Sequence, residues 1–185
     1  MRIVSGKHRG RTLTAPNNRD TRPTSDRARE AIFNVLDHGV PGPRLQGARV
    51  MDVFAGTGAL GLEALSRGAS QCTFVESQTA ARRILQDNIQ ALGEDAACKV
   101  INQQASSIGE ASTACDYVFL DAPYHQGLSE PALQALALGG WLKDGCVVMV
   151  EVAKAERLPL PEGFVVHKEK EYGAARAVFL IYRAF

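Results

Sequence analysis

Hydrophobic and polar positions follow one rhythm up to about residue 45 and another beyond it. The first segment, "RIVSGKHRGRTLT", alternates in two short strand-like runs around Gly6 to Gly10, which predicts a β-hairpin with a basic turn. "TAPNNRDTRPTSD" is rich in turn formers and delivers the chain to a helix capped by Thr24 or Ser25, with Ala28, Ile32, Val35 and Leu36 on one face. That spacing puts Arg22, Arg27 and Arg29 around the helix start and its outer face, and "HGVPGPRLQGA" ends the helix as a linker.

From Arg49 onward strands and helices alternate. "RVMDVF" predicts a buried strand, "GALGLEALSRG" a helix closed by Gly68, and "QCTFVE" a second strand. "SQTAARRILQDNIQALG" brings Ala81, Ile84, Leu85, Asn88, Ile89 and Leu92 together on a helix that stops at Gly93. "CKVI" and "DYVFLD" are the third and fourth strands, "SEPALQALALGGWL" is a helix with Pro131 in its first turn, and "CVVMVEV" is the fifth strand. "FVVHKEKEYGAARAVFLIYR" closes the chain as a hairpin around Gly173. Repeated β-α units predict one α/β, Rossmann-like unit: a seven-stranded, mostly parallel sheet over residues 46–185, with residues 1–45 as a basic hairpin-and-helix extension of the same body. Ligands then belong in the crevice beyond the carboxyl ends of the strands.

Composition adds little to this picture, but charge changes it. Net charge is +1, yet residues 1–29 hold eight Lys/Arg against two Asp, a net +6, leaving −5 on the remainder. A basic arm on an acidic body points to a polyanionic partner, since phosphate contacts carry most non-specific nucleic-acid affinity. Arg2, Lys7, Arg9 and Arg11 are the contacts expected in the hairpin, with a solvated basic surface as the bland reading. Cys72, Cys98, Cys115 and Cys146 stand far apart with no zinc-ligand spacing, which predicts reduced, mostly buried thiols and no metal. "MRIVSGKHRGR" has no apolar signal core, and no stretch approaches the roughly 20 apolar residues of a membrane span. A cytoplasmic, membrane-free monomer is expected.

Chemistry concentrates in two places. "MDVFAGTGALGLEAL" carries Gly56-x-Gly58-x-x-Gly61 between a strand and a helix, and Glu76 ends the next strand where an acid can accept from a ribose diol. Those features fit NAD as well as S-adenosylmethionine. Asp52 tilts the choice, because a carboxylate at the loop mouth repels a pyrophosphate but favours ammonium and sulfonium charge; its bland role is a hydrogen bond to the loop. Phe54 lies in the same loop, and beyond the third strand Gln104 followed by Ala105 resembles the Asp-Ala with which methyltransferases of this type often receive the adenine amino group, or else Gln104 is a solvated loop residue.

The second place is "CDYVFLDAPYHQGL". An exocyclic nucleobase amine is a poor nucleophile because its lone pair is delocalised into the ring. Two acceptors aimed at its hydrogens free that pair, and Asp121 and the carbonyl of Ala122 can supply them. Pro123 biases residue 122 toward extended backbone, and Tyr124 offers a ring on which an extruded base can stack. The bland alternative is a turn after a buried strand. The order of glycine loop, ribose acid and tetrapeptide favours the active-site reading.

"RIVSGKHRGRTL", "RPTSDRAREAIFNVL", "DVFAGTGALGLEALSRGA", "FVE", "DAPY" and the late "EYG" together make the chain resemble the RsmD family of bacterial 16S rRNA guanine-N2 methyltransferases along nearly its whole length. The resemblance implies a class I methyltransferase fold and methyl transfer from S-adenosylmethionine to the 2-amino group of a guanine in 16S rRNA, naked or within the small ribosomal subunit. It puts Asp121 and Tyr124 at the target base, Glu76 at the ribose and the basic hairpin on RNA, with Arg22 and Thr24 near the active-site mouth. Ala122, where the family usually has proline, and Gln104 are departures. The rivals are an adenine-N6 or other amine methyltransferase, an NAD-dependent oxidoreductase and a non-catalytic RNA-binding assembly factor.

Overall fold

Short apolar runs rich in β-branched and aromatic residues extend as Arg49–Val53 (β1), Gln71–Val75 (β2), Cys98–Ile101 (β3), Cys115–Leu120 (β4) and Leu142–Ala153 (β5), all mutually parallel. Phe164–Tyr172 (β6) and Ala175–Tyr182 (β7) add an antiparallel hairpin, and the sheet runs β3-β2-β1-β4-β5-β7-β6. The structure is a computed structural model describing residues 1–17 and 24–185. Arg22 therefore lies outside the described residues.

Both faces of the sheet are covered, which explains why the central strands read as nearly unbroken apolar runs. On one face Val50, Phe74, Phe119, Met149 and Phe179 pack with Ile32 and Phe33 of Asp26–His38 (α1), Leu62 and Leu65 of Ala59–Ser66 (α2), and Leu85 and Ile89 of Thr79–Ala91 (α3). On the other, Met51, Val53, Val118, Leu120, Val148 and Val150 meet Leu133 and Leu136 of Ser129–Leu138 (α4). The chain leaves β1 toward β2 on one side and later returns as β4 on the other, so a crevice opens beyond the carboxyl ends of β1 and β4.

Ser25 caps α1, its side-chain oxygen accepting from the Ala28 N–H at 3.1 Å. The N-terminal runs pair through the Arg2–Thr12 bridge and Ile3, with Ile3 and Leu13 in the core, and no longer ladder forms among the described residues. Two expectations need correction. "SEPALQALALGGWL" is helical only to Leu138: Gly139 closes α4, Gly140 turns at φ 73°, and Leu142 already belongs to β5. The second concerns Arg29, which does not lie on the outer face of α1 but is fully buried.

Arg29 sits at the spacing of Ile32, Phe33 and Leu36, and satisfies its guanidinium inside. Nε donates to Glu63 Oε1 at 3.3 Å, Nη2 to Asp26 Oδ1 at 2.9 Å and to the Arg2 carbonyl, and Nη1 to the Thr24 carbonyl at 3.3 Å. Glu63 in turn accepts from the backbone N–H groups of Val4 and Ser5 at 2.8 and 3.1 Å. One buried ion pair thus ties the N-terminal segment and the start of α1 to α2, and fixes the backbone of Thr24. The supposed linker is also anchored, with Leu45 and Ala48 buried and the Tyr117 hydroxyl donating to the Pro43 carbonyl. Among the described residues no helix is long and apolar enough to cross a membrane.

Candidate active site

The glycine loop leaves β1 with backbone conformations that few side chains tolerate. Phe54 holds φ 59°, Gly56 φ 56° and Gly58 φ 83°. A positive φ at a non-glycine residue carries strain of order 1–3 kcal/mol and concentrates where a ligand is received. Gly61 has a packing reason: a Cβ there would stand 2.5 Å from Phe74 Cε1 and 2.6 Å from Cys72 Sγ. Beside Gly56 nothing lies within 4 Å of where a Cβ would be, so backbone is open to a ligand there. Glu76, half-buried at the end of β2, accepts from the Gly56 N–H at 2.9 Å and from the Gln78 N–H at 3.0 Å, which fixes both carboxylate oxygens beside that opening.

Asp52 lies beneath the loop, with 1 % of its surface exposed, and its Oδ2 accepts from the Gly61 N–H at 2.9 Å. Burial pushes its pKa up to about 8; the Gly61 hydrogen bond opposes this and the Glu76 charge adds to it. Asp52 therefore does hydrogen-bond the loop, and as a buried acid it is poised to ionise beside positive charge. Gln104 is exposed, just before a short 3₁₀ turn, and Ala105 is buried beneath it. The residues present fit S-adenosylmethionine: an acid for a ribose diol, an open backbone cradle and a carboxylate suited to cationic charge.

Across the crevice, β4 ends at Leu120 and delivers Asp121, with Ala122 buried, Pro123 exposed and Tyr124 half-buried. Sequence reasoning missed Glu151. The β4–β5 register pairs Leu120 with Val150, so Glu151 lies beside Asp121. The Tyr124 hydroxyl donates to Glu151 Oε1 at 2.7 Å, while the Thr24 hydroxyl lies 3.2 Å from Glu151 Oε2 and 3.3 Å from Asp121 Oδ2. Burial holds the Asp121 carboxyl well above the usual carboxylate range, with the Glu151 and Asp52 charges adding and the Thr24 hydroxyl opposing. Thr24, Tyr124, Glu151 and Tyr172 line one cavity of about 210 Å³. A single carboxylate inside the apolar run "CVVMVEVA" was the available signal for Glu151.

The basic hairpin contributes no residue to the lining of this cavity. Arg9 and Arg2 are exposed, Lys7 pairs with Glu94 at 2.6 Å, and Arg11 donates to the Ala91 carbonyl at 2.6 Å. Lys7 thus presents a partly neutralised charge. A larger cleft of about 350 Å³ between the 154–160 segment and the β6–β7 hairpin contains none of the expected site residues. Three of the four cysteines are buried, and all four are free thiols.

The profile of the family described as Conserved hypothetical protein 95 matches residues 1–181. The chain belongs to this family. It is the RsmD family of the sequence resemblance. Ribosomal RNA small subunit methyltransferase D of Escherichia coli K12 is 39 % identical over 175 residues, covering 94 % of this chain and 85 % of that protein. The solved structure of yhhF from Escherichia coli superposes with a TM-score of 0.86 at 36 % identity, over 100 % of this chain and 99 % of that one. An Aquifex aeolicus SAM dependent methyltransferase shares the fold at a TM-score of 0.62 and 21 % identity, over 83 % and 89 % of the two chains. The strand order and glycine loop are thus those of an α/β methyltransferase fold.

Proposed function

We propose that this chain transfers a methyl group from S-adenosylmethionine to the exocyclic 2-amino group of a guanine in 16S rRNA of the small ribosomal subunit, acting as a monomer in the cytoplasm. An enzyme of the RNA methyltransferase class follows from the family and the fold; the base, the atom and the donor are the finer reading. The observation that carries it is the convergence of Asp121, Glu151 and Tyr124 at the end of β4, one crevice away from Glu76 and the open backbone at Gly56. The catalytic roles of Asp121, Ala122, Pro123 and Tyr124, the cofactor roles of Asp52, Phe54, Gly56, Gly58, Gly61, Glu76, Gln104 and Ala105, and RNA contact by Arg2, Lys7, Arg9, Arg11, Arg22 and Thr24 belong to the same proposal.

S-adenosylmethionine, when bound, supplies an electrophilic methyl group and a cationic sulfonium. Glu76 would hold the ribose hydroxyls, Gln104 and Ala105 would border the adenine, and Asp52 would favour the positive charge. Asp121 accepts one hydrogen of the target amine and the Ala122 carbonyl the other, so the nitrogen lone pair leaves the ring system for attack. Once the nitrogen has become cationic, the Asp121 carboxylate takes its proton. Tyr124 stacks on the extruded base, an interaction worth about 1–3 kcal/mol at nucleobase sites. Pro123 keeps the Ala122 carbonyl turned toward the amine by restricting its neighbour. The exposed charges of the basic hairpin hold the RNA by its phosphates.

Thermal-shift titration tests the cofactor, because a ligand bound only by the native state raises apparent stability. S-adenosylhomocysteine should stabilise the protein and NAD should not. Stabilisation by NAD alone would replace the proposal with the oxidoreductase reading.

A further inference from the structure

Asp121 and Glu151 are two neighbouring acids that share few donor hydrogens among the described residues. Glu151 lies in the apolar run near the carboxyl end of β5, 8 % exposed and paired in register with Ala177, where a carboxylate is unfavourable unless donors meet it. Its oxygens meet the Tyr124 hydroxyl at 2.7 Å and the Thr24 hydroxyl at 3.2 Å. That same Thr24 hydroxyl is also the donor 3.3 Å from Asp121 Oδ2. A hydroxyl carries one hydrogen, so it serves one of the two acids at a time. On the wall of the same cavity, the Tyr172 hydroxyl is buried with no hydrogen-bond partner among the described residues.

Such a cavity is complementary to an edge that brings several N–H groups and one acceptor. Guanine carries N1–H and N2–H₂ next to the O6 acceptor. Adenine presents a lone pair at N1, which would face a carboxylate. We propose that Glu151 is the specificity-determining residue of this site, its carboxylate accepting from N1–H of the target guanine while Asp121 accepts from the 2-amino group, and the Tyr172 hydroxyl donating to O6. The inference rests on the guanine-N2 reading and adds the means by which the base is selected.

The probe is small-subunit rRNA carrying 2-aminopurine at the nucleotide that the wild-type protein labels. This analogue keeps the 2-amino nucleophile, exchanges N1–H for a lone pair and loses O6. Wild-type protein should methylate it with a kcat/KM at least about 100-fold below that for guanine, the rejection expected where buried polar groups are left unpaired. Glu151→Gln, whose amide can donate to the N1 lone pair, should narrow that preference by roughly 10- to 100-fold. An unaltered stabilisation by S-adenosylhomocysteine shows that the variant is folded. A merely structural Glu151 would lower both rates together and leave their ratio unchanged, and that result overturns the inference. Equal efficiency of the wild-type protein on both bases also overturns it, and requires no variant. Label on adenine N6 instead overturns the guanine-N2 reading and the inference with it, before the analogue is used.

Discussion

Replacing Asp52 by asparagine should remove one full proton's worth of pH dependence from the stability of the fold. Asp52 is buried against the glycine loop, and its pKa is pushed from 3.8 to about 8, chiefly by burial. Between those values the folded protein holds a proton that the unfolded chain has released. The sign follows: this stability is fully present below the unfolded value and is lost as pH rises through about 8, at about 1.4 kcal/mol per pH unit. From pH 5 to 7.5 the loss is about 3 kcal/mol. Asparagine keeps a carbonyl for the Gly61 N–H, 2.9 Å away, but does not titrate. Urea unfolding of both proteins across this range should therefore show the stability difference shifting by about 3 kcal/mol in the variant's favour, or about 6–12 °C in Tm for a chain of 185 residues. A difference that stays constant with pH would show that Asp52 is already ionised in the fold. The same group links pH to the cofactor: wild-type affinity for S-adenosylmethionine should rise between pH 6 and 8, and that of Asp52→Asn should not.

Asp121→Ala should lower kcat by at least about 100-fold, whereas Ala122→Pro should retain turnover, because the carbonyl at 122 survives; single-turnover methyl transfer decides both, and a dead Ala122→Pro would show a different loop geometry. Since burial and Glu151 raise the Asp121 pKa, kcat/KM in the free enzyme should fall as pH drops through a limb above the ordinary carboxylate range, and a flat acidic profile would contradict the role. Arg29→Met leaves Glu63 with Arg67 at 3.0 Å as its remaining cation but strips the Arg2 and Thr24 carbonyls and Asp26 of their donor, and should cost about 1–3 kcal/mol in urea unfolding; a loss within about 0.5 kcal/mol would mean the network does not hold the N-terminal segment. Converting Lys7, Arg9 and Arg11 to alanine should weaken RNA binding and lower the salt slope by about 0.7–0.9 for each phosphate that is no longer neutralised, and an unchanged slope would place the RNA elsewhere.

Most of the fold was legible because strand and helix periods are distinct in this chain, and Gly68 and Gly93 end their helices where the periodicity stops. Arg29 carries two conflicting signals. Its spacing to Ile32, Phe33 and Leu36 marks the buried face, but its charge argues for the surface, and the partners that reconcile the two include Glu63, 34 positions away, and the Arg2 carbonyl, 27 positions away. The end of α4 was overrun because the apolar Trp141 and Leu142 extend the helical pattern past Gly139–Gly140, although their side chains belong to the sheet side of the turn. Asp121 and Tyr124 stood out as a local motif. Glu151 did not, since its meaning comes from the β4–β5 register and from Thr24, which reaches the site from the far end of the chain.

Nucleoside analysis of RNA labelled by the wild-type protein bears most directly on the proposed activity. Unmodified small-subunit particles and naked 16S rRNA would each be incubated with methyl-labelled S-adenosylmethionine, digested and resolved by mass. Label confined to N2-methylguanosine at a single position in at least one of the two substrates is the predicted result. Label in N6-methyladenosine, or no transfer to either RNA, would contradict it.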